Sequence, residues 1–194
     1  MKGTRALTDQ EADAIMESFA GHYSARDRAI FALGRYTGER ISAILHLRLG
    51  NVMQDGKLLD AVTYLRSTRK GKTESRTVAL HPKAKRALAD WLDQLTSAEE
   101  LYPDKWVFPS RKGNGPLGRV QYHRILKVAA ARGKITGPVA THSMRKTFAN
   151  GIYTRLGKDL FRLQKALGHK NINSTVQYLS FREADIEKAI RGLK

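Results

Sequence analysis

The 194-residue sequence contains no cysteine. That excludes disulfide staples, thiolate zinc sites and cysteine nucleophiles at one stroke. Acidic residues are scarce, 18 Asp and Glu against 35 Lys and Arg. No apolar run approaches the roughly 18 residues that a membrane-crossing helix needs. The opening residues MKGTRALTDQEADAIM also lack the apolar core of a secretory leader. No clustered carboxylates and no H-E-x-x-H run occur, which argues against a metal nuclease or metalloprotease. Neither a metal nor a cofactor is expected. The chain is expected in a prokaryotic cytoplasm, its own or a host's if it is phage-encoded, at the nucleoid and not at a membrane.

What is present is positive charge. The formal net charge is +17 and the isoelectric point is near 10.3. Such an excess calls for a polyanionic partner. Double-stranded DNA leads, because phosphates dominate that kind of affinity. The length suffices for one domain or a closely joined pair.

Periodicity predicts a mainly α chain with one small antiparallel β-sheet, an α+β class. Thr8-Asp-Gln-Glu11 has the spacing of a capping box, and Ala12, Ile15, Met16 and Phe19 follow at helical intervals. A second helix is predicted from about Ser24 to Tyr36, and after the Thr37-Gly38 break a third over Arg40–Leu47. Ala61–Ser67 and Ser75–Leu80 are β-prone and read as a hairpin around the polar Thr68–Glu74. Pro82 opens a further helix. Trp106-Val-Phe108 reads as a short strand inside a Pro/Gly-rich loop. Helices are then expected near 118–132, 142–156, 159–167 and 182–193.

Three clusters could carry chemistry. In ATHSMRKTF (140–148), His142 and Arg145 lie three apart at a helix start and share a face, while Met144, Phe148 and Ile152 would pack behind. Taken alone, His142 would serve packing as well as chemistry, but a long cation beside a core stripe calls for a fixed anion. In YTGERISAILHL (36–47), Arg40 opens a helix with an apolar face, and its fork suits phosphate oxygens held near free helix-end amides. Taken alone, a solvated helix-start arginine explains that position better. The hairpin and its flank, Arg66–Arg86, carry Arg66, Arg69, Lys70, Lys72 and Arg76 among eight cations against Glu74 alone. A charge run is usually only a solvated face, and basic hairpins often merely touch nucleic-acid backbone.

The order of these clusters, followed by LGHKNINSTVQYLS (167–180), resembles the catalytic domain of the tyrosine recombinases, the phage integrase family. Its pattern is an arginine after a Thr-Gly break, a lysine in a β-hairpin, His-x-x-Arg, Leu-Gly-His and a nearby tyrosine. Each occurs here in turn: TGERIS (37–42), KTESRTVAL (72–80), THSMRKTFA (141–149), then His169 and Tyr178. The resemblance implies a catalytic domain over 1–181 and an amphipathic helical tail over 182–194; the N-terminal DNA-clamping domain that the family usually carries is not expected here. It implies Tyr178 as nucleophile, Arg40 and Arg145 on the phosphate, His142 as base, His169 as hydrogen-bond donor and Lys72 as acid. Lys72 stands four residues before Arg76 and Lys70 six, and the family spacing favours Lys72. Arg66, Arg69, Lys70, Arg76 and Lys146 are then expected on DNA, with a homo-oligomer, a tetramer, assembling there. The tail, with Ile186, Ala189, Ile190 and Leu193 on one side, would dock on a neighbouring protomer or on its own domain.

The sequence departs from the family at several supporting positions. Ala43 stands where a glutamate often follows the first arginine, Asn51 where an aspartate is common, and Lys146 where a second histidine is frequent. A type IB topoisomerase, or a DNA-binding regulator that has lost catalysis, would use a similar framework. The compact LGH-to-Tyr spacing and the complete set of groups favour a recombinase that cuts and rejoins DNA.

Overall fold

The computed structural model describes residues 3–68, 74–98, 102–179, 187 and 190–193. Two compact units meet in sequence between Phe148 and Ala149. The first holds α1 (Asp9–Ser18), α2 (Ser24–Thr37), α3 (Ile41–Leu45), two hairpins, α4 (Pro82–Ala98), α5 (Arg119–Arg132) and the start of α6 (Thr141–Arg155). The hairpins are β1 (Met53–Gln54) with β2 (Lys57–Leu58), and β3 (Ala61–Tyr64) with β4 (Arg76–Ala79), both antiparallel. The second unit holds the rest of α6, then α7 (Leu160–Leu167) and α8 (Ile172–Val176).

The local signals act as the spacing predicts. Glu11 N–H donates to Thr8 Oγ1 at 3.2 Å and Thr8 N–H to Glu11 Oε2 at 2.9 Å, so the capping box closes and α1 starts there. Arg5 adds a two-pronged contact to the same carboxylate, at 2.7 and 2.5 Å. Glu11 is held at a pKa of about 2, chiefly by Arg5. Helix α2 stops at Gly38, whose φ of +62° is left-handed. A glycine is the residue that takes up such a C-terminal stop without strain.

The core of the first unit is built from the inward faces of these elements, with Phe31, Leu33, Ile44, Tyr64, Leu88, Phe108 and Leu126 fully enclosed. Strand β3 alternates, burying Val62 and Tyr64 and leaving the hydroxyls of Thr63 and Thr77 to meet at 3.0 Å on the outer side. Tyr64 lies opposite Arg76 in the register, and its hydroxyl sits 3.0 Å from Thr37 Oγ1.

Three details differ from the sequence expectation. Trp106-Val-Phe108 is not a strand. Trp106 makes one antiparallel bridge to Arg48, and Val107 N–H reaches Leu47 O. A second isolated bridge, Pro109 to Pro116, follows in the same loop, and Leu117 N–H reaches Phe108 O at 2.8 Å. The β1–β2 hairpin and the five-residue α8 were not expected. Most of the 182–193 segment lies outside the described residues. Among those described, no helix is long and apolar enough to cross a membrane.

Candidate active site

Arg40, His142 and Arg145 line one cavity of about 230 Å³ in the first unit, together with Glu39, Ile41, Ser42, Thr68, Arg119 and Thr141. Arg40 is the residue before α3, placed there by the left-handed stop at Gly38. His142 and Arg145 come from the first turn of α6, three apart and on one face as their spacing predicts. Met144 points into the core, where Gly34 of α2 receives it closely.

Arg145 is 1% exposed and still charged, so its partners matter. Its Nη1 donates to the carbonyl of Gly38 and lies 3.9 Å from Glu39 Oε1. The fixed anion that the sequence demanded for this cation is therefore Glu39, itself buried. The same carboxylate accepts the Arg40 N–H at 3.0 Å and Arg76 Nη1 at 3.0 Å. The Arg40 amide before α3 is thus taken by Glu39, while Arg40 lines the cavity. Its Nη1 is buried without a hydrogen-bond partner among the described residues. An unsatisfied buried donor costs about 1–3 kcal/mol, more when charged, and an entering anion would relieve it.

Electrostatically the cavity has three guanidiniums, from Arg40, Arg119 and Arg145, against one carboxylate. Its charge balance is positive. Burial lowers the pKa of His142, and the nearby charges of Arg145, Arg40, Arg119 and Lys146 push it the same way. Its imidazole is therefore held neutral near pH 7, the state that can accept a proton.

His169 and Tyr178 belong to the second unit. Helix α7 is capped by Asp159, which accepts Arg162 N–H at 3.0 Å, and ends at the left-handed Gly168. His169 N–H then donates to Gln164 O at 3.0 Å, which fixes the histidine just past the helix. Asn171 starts α8 by accepting Asn173 N–H at 2.8 Å. This short helix, where a turn was expected, carries the chain back so that the His169 and Tyr178 rings lie 5.3 Å apart between centroids. His169 Nδ1 sits 3.0 Å from Thr175 Oγ1, and histidine, threonine and tyrosine are all buried.

The expected DNA contacts separate. Arg66 is exposed. Arg76 is turned to Glu39, and Lys146 donates to Thr4 O at 2.5 Å, so both have internal partners. Arg69, Lys70 and Lys72 lie outside the described residues. Thr68, just before them, lines the cavity.

Sequence reasoning missed Glu39 and Arg119. Glu39 had one visible signal: an acid directly before Arg40 in a chain poor in acids. Arg119 followed Gly118 at a helix start, a place where a solvated cation is ordinary. Among the described residues no group of three or more His, Asp or Glu is arranged to hold a metal ion.

The phage integrase family model matches residues 5–184. The type 1 fimbriae regulatory protein FimB of Escherichia coli (strain K12) is 31% identical over 176 residues, covering 89% of this chain and 82% of FimB. The tyrosine recombinase XerD of Rhizobium meliloti (strain 1021) is 31% identical over 190 residues, but this chain spans only 58% of its length. Among solved structures, the XerA recombinase superposes over 100% of this chain and 67% of its own with a TM-score of 0.76 at 22% identity. The XerH recombinase bound to its difH substrate, a pre-cleavage complex, covers 98% of this chain and 55% of its own, with a TM-score of 0.72 at 23% identity. The chain belongs to the phage integrase family, the tyrosine recombinases.

Proposed function

We propose that this chain is a site-specific DNA recombinase that cuts and rejoins double-stranded DNA through a 3′-phosphotyrosine. The observation that carries the reading is a cavity walled by three arginines beside a histidine held neutral. A scissile phosphate seated there gains negative charge on its non-bridging oxygens as it becomes pentacoordinate. Arg40 and Arg145 are the groups to neutralise that charge, and preorganised charge of this kind is often the largest catalytic contribution.

In the cleavage step the Tyr178 oxygen bonds to phosphorus and the bond to the 5′-oxygen breaks. His142 takes the phenolic proton, and a hairpin lysine, Lys72, gives a proton to the departing 5′-oxygen, which leaves as a hydroxyl. His169 donates to a phosphate oxygen. The ester to Tyr178 keeps the phosphodiester energy, so the reverse attack by another 5′-hydroxyl rejoins the strand without ATP. The guanidiniums supply the charge that a divalent cation supplies elsewhere, so the reaction is expected to proceed in EDTA. Exchange between two duplexes cuts four strands, one tyrosine for each, which is why a tetramer on DNA is the expected assembly. The catalytic domain would be residues 1–181 and the tail 182–194 a docking segment, in a protein of the prokaryotic cytoplasm.

The test is a nicked duplex that traps the cleaved state, incubated with protein in EDTA. Wild type should become linked to the 3′ end, and Tyr178→Phe should bind DNA but form no link. A link formed by Tyr178→Phe, or a strict need for magnesium, would overturn the reading. A 5′-bridging sulfur is a better leaving group and needs no acid. It should therefore restore cleavage to Lys72→Ala, slowed roughly 10²–10⁴-fold on ordinary DNA, and make no difference to Lys70→Ala.

A further inference from the structure

Glu39 has no part in the chemistry proposed above, yet it is the anion around which the cavity is organised. Its side chain is 1% exposed. Oε1 holds the Arg40 N–H at 3.0 Å and stands 3.9 Å from Arg145 Nη1, while Oε2 accepts Arg76 Nη1 at 3.0 Å. One carboxylate thus joins the turn before α3, the first turn of α6 and the first residue of β4. A buried carboxylate so occupied is a poor proton carrier, and beside a phosphate it would repel it. Its work is to hold other groups.

Where it holds them is specific. The β3–β4 hairpin leaves the sheet after Tyr64 and returns at Arg76, which are partners in the register. Tyr64 is tied to Thr37 by hydroxyls 3.0 Å apart, and Arg76 to Glu39. Both stems at the root of the hairpin tip are therefore fastened to the 37–40 turn, the same turn that carries Arg40. Ala43, buried in α3, has no polar side-chain atom to offer from the other side of Arg40. The carboxylate comes from Glu39 instead.

We propose that Glu39 is a positioning residue that pins the β3–β4 hairpin to the phosphate cavity, through Arg76 on one oxygen and Arg145 on the other. The pin holds the stem of the hairpin, at Arg76, to the carboxylate that also meets Arg145 of the cavity. This rests on the recombinase reading for its catalytic consequence but not for the pin itself. Glu39→Gln keeps the shape and the acceptor for the Arg40 N–H and removes the charge that binds both guanidiniums. Arg76→Gln cuts the hairpin side alone.

Two measurements test it. Hydrogen exchange reads the pin without any DNA chemistry. In both variants the amides of β4 should exchange at least tenfold faster, while those of α1 keep their wild-type rates. Single-turnover cleavage reads the consequence. Both variants should form the covalent complex about 10- to 100-fold more slowly on ordinary DNA, with duplex affinity within twofold of wild type, and Glu39→Asp should recover part of the rate. With a 5′-bridging sulfur the deficit should shrink at least tenfold, because a displaced acid is then no longer missed. Unchanged β4 exchange overturns the proposal, as does a wild-type cleavage rate or an equal deficit on both substrates. If wild type forms no covalent complex while β4 exchange rises in the variants, the recombinase reading fails and the pin stands. Should Glu39→Gln not fold, Arg76→Gln, at a half-buried site, carries both measurements.

Discussion

Gly38 and the ring of Phe148 are packed so closely that a Cβ on the glycine would stand 2.2 Å from Phe148 Cδ1. The same glycine turns left-handed, and its carbonyl receives Arg145. Three demands meet at one residue: backbone sign, space, and an acceptor for a buried guanidinium. Gly38→Ala should lower unfolding free energy by roughly 2–5 kcal/mol, adding left-handed strain to overpacking. It should slow cleavage further by displacing Arg145. Gly34→Ala faces the flexible thioether of Met144 instead, and should cost about 1 kcal/mol, since helix propensity offsets part of the crowding. Urea titrations compare the two. A Gly34→Ala loss equal to that of Gly38→Ala would contradict this account.

The neutral state of His142 predicts the direction of a pH effect. Burial first, and the surrounding arginines second, lower its pKa below the ordinary histidine value of about 6.5. As base it must be unprotonated. Cleavage should therefore stay level as pH falls through the ordinary histidine range and decline only below it, and His142→Gln should lose that acid limb along with most of the rate. A bound phosphate adds negative charge, so the limb should sit higher in the DNA-bound profile than in the free protein. Stability follows the same sign. Below about pH 6.5 the unfolded chain takes the proton before the folded one, so this group weakens folding as pH falls. An acid limb that persists in His142→Gln would assign it to another group.

Thr175 meets His169 through its hydroxyl and accepts the Tyr178 N–H at 3.0 Å on its backbone carbonyl. Thr175→Val keeps the volume and removes the hydroxyl 3.0 Å from Nδ1. With that contact gone the ring is held less firmly, and cleavage is expected to drop about tenfold at unchanged DNA affinity, with Thr175→Ser close to wild type. Losing the hydroxyl's hydrogen bond should also cost about 1 kcal/mol of stability. Covalent-complex rates and thermal melts check the two halves. A Thr175→Val protein with full cleavage would show that His169 needs no such support.

Glu11 offers a test at the opposite end of the pH range. Its pKa of about 2 reflects Arg5 and the capping box, and its side chain is 23% exposed. A carboxylate lowered on folding stabilises above its unfolded pKa and loses that contribution as pH falls through the folded one. Glu11→Gln should thus cost about 1 kcal/mol at neutral pH, and its deficit against wild type should fade between about pH 4.5 and 2. A deficit independent of pH would place the effect in packing.

The helices were legible in the sequence because their causes are local. Thr8 and Glu11 cap each other three residues apart, Gly38 and Gly168 stop α2 and α7 through their own backbones, and apolar spacing marks each buried face. His142 and Arg145 share a face because three residues are nearly one helical turn. Tertiary structure decided the rest. Glu39 meets Arg76 and Arg145 across 37 residues and more, and no pattern of neighbours encodes that distance. Arg76 reads in sequence as one more surface cation and is an internal partner. Lys146 likewise looked ready for DNA and is drawn to the carbonyl of Thr4. Trp106-Val-Phe108 has strand composition, yet a strand needs a partner ladder, and this segment meets its neighbours only through isolated bridges. Local chemistry sets where the chain turns and which face is apolar; which buried charge answers which is set only when distant segments are packed together and water can no longer solvate either.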